Sequence, residues 1–84
     1  RSGPEYVVLA AIYRDEHDAA TKLQELLDAG LDATIVSVES GDSVVYEIHV
    51  GPFPSNEAAN EAAGRLRQAF GLSPSVLVQE ARAR

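Results

Sequence analysis

A chain of 84 residues with 45% hydrophobic side chains makes one folded domain with a modest core, too small to enclose a deep catalytic cleft. Thirteen acids stand against seven bases, and four of those bases (Arg65, Arg67, Arg82, Arg84) lie on the second predicted helix or in the C-terminal tail, which leaves no cationic stripe for a nucleic-acid backbone. Cysteine is absent, which excludes disulfides and thiolate metal sites, and no apolar run nears the roughly 20 residues of a membrane-crossing helix.

Residues 1–4 read as a linker or tag remnant, 5–80 as a single domain and 81–84 as a C-terminal tail, so the piece reads as cut from something longer, and any anchor or export signal is expected outside it. The first strand is predicted from Tyr6 to Ile12, where β-branched residues are dense. Asp15 then stands as an N-cap with Glu16 and Asp18 in the first turn, where the helix dipole favours acids. Ala19, Leu23, Leu26 and Leu27 recur at helical spacing as a buried stripe, and Gly30 supplies a left-handed stop. A second strand runs from Asp32 to about Glu39, and Ser40-Gly41-Asp42-Ser43 turns it into a third, Val44 to Val50.

Proline cannot donate to a strand ladder, so Gly51-Pro52 is expected to end that third strand. Ser55 or Asn56 caps a second helix whose stripe is Ala59, Ala63, Leu66 and Phe70, Gly71 stops it, and Ser75 to Gln79 is the last strand. The order is βαββαβ, an α+β sandwich of the ferredoxin-like or RNP-like kind, with a four-stranded antiparallel sheet and two helices on one face. Strands one and three take the centre. Alternation then sends Tyr6, Val8, Ala10, Ala33, Ile35, Tyr46, Ile48, Val50, Val76 and Val78 under the helices. It leaves Val7, Leu9, Ala11, Thr34, Val36, Val38, Val45, Glu47, His49, Ser75, Leu77 and Gln79 on the uncovered face.

One phrase occurs twice: Tyr6-Val-Val-Leu-Ala-Ala-Ile-Tyr13, and 40 residues later Tyr46-Glu-Ile-His-Val-Gly-Pro-Phe53, each followed by a polar cap and an Ala/Leu-patterned helix. With Ala19 and Leu23, the turn Ala29-Gly30-Leu31-Asp32-Ala33, and Ala58 and Leu66 after the second copy, this order resembles the SPOR domain, the sporulation-related repeat of bacterial envelope proteins, over about Tyr6 to Gln79. The resemblance implies a non-catalytic, extracytoplasmic module that binds peptidoglycan glycan strands stripped of stem peptides, often at cell-division sites, through the open sheet face. It thereby marks Val7, Leu9, Ile12, Val36, Val45, Glu47 and His49 as candidate contacts.

At several of these positions the chain departs from the family pattern. Leu9 stands where many members have Gln, Ile12 where they have a small Ser, Val45 where an aromatic is found and Glu47 where Arg is common. Sugar recognition draws on donors and acceptors for hydroxyls, and each buried polar group left unpaired costs roughly 1–3 kcal/mol. Tyr46, Tyr13 and His49 are a candidate displaced site. An aliphatic face of Val7, Leu9, Val36, Val38, Val45 and Leu77 also carries a second expectation, association with its own copy or with another envelope protein.

Other readings lack parts. Serines fall in turns and the tail with no histidine and carboxylate beside them, and only one acid is expected on the sheet face, so neither a triad nor a glycosidase pair is predicted. Glu47 and aliphatic residues, where an RNA-binding relative would place aromatics, argue against RNA. No nucleic acid, direct membrane insertion, cofactor or metal is expected. The acids Asp15, Glu16 and Asp18 are accounted for by helix capping and His17 by a surface position.

Overall fold

In a computed structural model that describes residues 4–80, the elements follow the predicted order: β1 (Pro4–Tyr13), α1 (Glu16–Asp28), β2 (Ala33–Ser40), β3 (Ser43–Phe53), α2 (Asn56–Phe70) and β4 (Ser75–Glu80). The segments 1–3 and 81–84, read as part of a linker and as a tail, lie outside the described residues.

Both helices begin where the caps require. The Asp15 carboxylate accepts from the His17 N–H at 2.8 Å, and the Ser55 hydroxyl from the Ala58 N–H at 3.1 Å, which settles Ser55 over Asn56 as the second cap. At the end of α1, Gly30 adopts φ +87, and the N–H groups of Gly30 and Leu31 reach back to the carbonyls of Leu27 and Leu26. This closes a Schellman-type cap and starts the chain toward β2.

The sheet order is β2-β3-β1-β4 with every neighbouring pair antiparallel, so β1 and β3 are central as predicted. Helix α1 lies over β2 and β3 and α2 over β1 and β4. Between helices and sheet, Val8, Leu26, Ile48, Val50 and Leu66 are fully buried, and Ala59, Ala62 and Ala63 let α2 approach closely. Burial of each large side chain contributes about 1.5–3 kcal/mol, which makes this cluster the principal source of stability. Lys22 of α1 adds a tie between the helices, its Nζ lying 5.7 Å from the centre of the Phe70 ring.

Four expectations are corrected. Leu27 is exposed, and the inner face of α2 includes Ala62, because the two stripes are narrower and wider respectively than the 3.6-residue pattern implied. Val78 pairs with Tyr6 on the helix side, yet it is 65% exposed on an edge strand. Gly51-Pro52 does not end β3; the strand continues through it to Phe53.

The fourth correction concerns register. Pairing of β1 with β3 runs Tyr6 to Phe53, then Val8 to Val50 and Leu9 to His49, then Ala11 to Ile48, Ile12 to Glu47 and Tyr13 to Tyr46. The first shift leaves one extra residue on β3, in Gly51-Pro52, and the second leaves one extra on β1, at Ala10. Past Ala10 the alternation of β1 therefore reverses. Ile12 joins Leu9 on the open face, while Ala11, expected there, pairs with the core residue Ile48, and Tyr13 packs against the core.

Candidate functional site: the open sheet face

Register builds the open face from cross-strand rows. One row runs Ser75, Leu9, His49, Thr34 from β4 to β2; the next, Ile12, Glu47, Val36, has no β4 member. Val45 with Val38 and Val7 with Leu77 continue the face toward its two ends. The face thus holds all seven candidate contacts. Val7 is 7% exposed, so it supports the surface without offering area to a ligand.

At the centre Glu47 and His49, two apart on β3 and hence on one side, meet at 2.9 Å between Oε1 and Nε2. Both side chains are 23% exposed, and their cross-strand neighbours are aliphatic except for Thr34. The Glu47 carboxylate therefore occupies the imidazole, and the two satisfy each other in a partly desolvated setting. Beside this pair Ile12 and Val36 are exposed, and Leu77 is exposed on β4 toward one end of the face. The face is a polar centre inside an aliphatic ring, less uniformly apolar than the sequence implied.

Tyr13, Tyr46 and His49 are not brought together. Tyr13 and Tyr46 pair with each other on the helix side, across the sheet from His49, as the register past Ala10 requires.

A notch at the margin of the face escaped the sequence reading. β4 pairs with β1 only as far as Ser75 opposite Leu9, so the last residues of β1 have a strand on one side only. The gap, about 310 Å³, is lined by residues 9–12, Leu72, Ser73 and Ser75. Its one sequence signal was the difference in length between the first strand and the last.

A four-stranded antiparallel sheet with two helices on one side and an open face opposite is the RNP-like α+β architecture. Comparison with known proteins narrows it. The SPOR domain model matches residues 2–77, and the chain belongs to the SPOR domain family. Among solved structures it is similar to the peptidoglycan binding domain of the B. subtilis cell wall lytic enzyme CwlC, with TM-score 0.72 and 20% identity over 94% of each chain. It is also similar to the RlpA SPOR domain from Pseudomonas aeruginosa, with TM-score 0.75 and 16% identity over 87% of this chain and 96% of that one. The Spor protein DedD matches with TM-score 0.64 and 25% identity over 90% of this chain and 39% of that one. A search of curated proteins returned no significant match.

Proposed function

We propose that this domain is a non-catalytic peptidoglycan-binding module of a bacterial envelope protein, acting outside the cytoplasmic membrane and engaging glycan strands along the open sheet face. The observation that carries this reading is membership of the SPOR family over nearly the whole chain, supported by likeness to a domain described as peptidoglycan-binding. Leu9, Ile12, Val36, Val45, Glu47 and His49 are the proposed contact residues, with Val7 beneath them. A binding role rather than a catalytic one fits the chemistry at the centre of the face, where Glu47 and His49 engage each other and Leu9, Ile12, Thr34 and Val36 are their cross-strand neighbours.

Sedimentation with purified sacculi tests this directly. The domain is expected to pellet with sacculi and to remain in the supernatant without them; a supernatant unchanged by sacculi would overturn the proposal. Leu9→Gln combined with Glu47→Arg places an amide and a guanidinium on the face. A single hydrogen bond to a charged group contributes about 1.5–3 kcal/mol, so retention on sacculi is expected to rise by about tenfold or more. Unchanged retention would show that these two positions do not meet the glycan.

A second reading is favoured by the exposed aliphatic ring, in which Ile12 is 53% and Val36 40% exposed. Here the face meets a second copy or another envelope protein. Its mark would be a dimer in analytical ultracentrifugation that Val36→Asp dissociates; a monomer at all concentrations removes the self-association form of it.

A further inference from the structure

Resting on the peptidoglycan reading, we propose that the notch beside the open face is a subsite for the acetamido group of an N-acetylated amino sugar. Four features converge there. The outer edge of β1 past Leu9 lacks a partner strand, and no described backbone hydrogen bond joins residues 10–13 to the chain at 72–74. Backbone N–H and C=O groups of that edge are therefore open to a ligand. The Ser73 and Ser75 hydroxyls face no hydrogen-bond partner among the described residues, and Ser75 lies opposite Leu9 in the last rung of the β1–β4 pairing. Leu9, Ile12 and Leu72 supply an apolar wall, and the space between is about 310 Å³.

An acetamido group is a peptide unit in miniature, one N–H donor and one C=O acceptor in a plane, with a methyl at one end. An unpaired strand edge presents the complementary acceptor and donor at the spacing of a β ladder, as it does for a peptide added to a sheet. The methyl group then meets Leu9, Ile12 and Leu72, and a serine hydroxyl supplies the second hydrogen bond that a carbonyl oxygen accepts. The hydrogen-bonding groups that Leu9 and Ile12 do not offer are thus supplied beside them by main chain and by two serines. A free amine in place of the acetamide brings neither the carbonyl nor the methyl.

The test compares N-acetylglucosamine tetramer with glucosamine tetramer in a two-dimensional NMR titration of the domain. The acetylated oligomer is expected to move the amide signals of residues 10–12 and 73–75, and the free-amine oligomer to bind at least tenfold more weakly. Ser73→Ala with Ser75→Ala, both at exposed positions, is expected to weaken the acetylated oligomer about tenfold while leaving the spectrum otherwise folded. Equal binding of the two oligomers, or shifts confined to Thr34, Glu47 and His49, overturns the subsite. Sacculus sedimentation separates the two levels: retention of the serine double variant at the level of the parent domain defeats the notch alone, whereas a parent domain that never pellets defeats the peptidoglycan reading beneath it.

Discussion

Ile48→Ala is expected to cost about 2–5 kcal/mol, the largest effect of any single truncation considered. Ile48 is fully buried at the middle of a central strand, with Ile35 beside it on β2 and Ala11 opposite it on β1. The opposing alanines at 10 and 11 are too short to fill the space that truncation leaves, so the cavity persists and its cost adds to the lost transfer energy. A domain of this size has a total stability of order 4–13 kcal/mol, so the variant stands near the edge of folding at 37 °C. Urea unfolding followed by circular dichroism measures it. A loss under about 1 kcal/mol with an unchanged m-value would show that this strand is not central to the core.

Gly51→Ala is expected to be the second most damaging change, by about 1–3 kcal/mol, and to act through the backbone. Gly51 has φ +130, which an L side chain avoids, and an added Cβ would lie 3.1 Å from the Phe53 ring and 3.2 Å from the Tyr6 carbonyl oxygen. The ring can turn aside; the carbonyl belongs to a paired strand and has little room to move. Gly71→Ala makes the comparison, because φ is also positive there but nothing lies within 4 Å of the new methyl. Thermal unfolding of the two variants should rank Gly51→Ala clearly below Gly71→Ala. Equal melting temperatures would mean that the close approach to Tyr6 and Phe53 contributes nothing.

Much of this architecture was open to reading because local signals agreed with one another. Asp15, Ser55, Gly30 and Gly71 punctuate the helices, and apolar spacing of 3.6 between them leaves little freedom in assigning the elements. Glu47 and His49 were placed on one face by their separation of two, and the structure adds their mutual hydrogen bond. The failures have one origin. From Val7 to Ile12 every side chain is apolar, so the period-two contrast that reveals which way a strand residue points is erased, and a one-residue offset at Ala10 leaves no trace in the sequence. Val50-Gly51-Pro52-Phe53 misled for a related reason: glycine followed by proline signals a strand end, yet here it is the wider side of an irregular pair, placing Phe53 opposite Tyr6. The marginal notch depends on where β4 stops pairing, which is a tertiary fact.

The two register offsets carry a consequence for how such a surface changes. Tyr6 to Phe53 and Tyr13 to Tyr46 share one register, and the rungs between them, Val8 to Val50 and Leu9 to His49, sit one step out of it. The ladder thus contains a phase slip that opens at Gly51-Pro52 and closes at Ala10, so each offset compensates the other. Deleting Ala10 would remove its offset and leave Ala11, Ile12 and Tyr13 opposite Ile48, Glu47 and Tyr46, each on its present side. Regular alternation through a retained Ala10 would instead turn Tyr13 outward as an aromatic platform and Ile12 inward to the core. The offset, rather than the identity of any side chain, therefore decides which residues of this strand the open face presents.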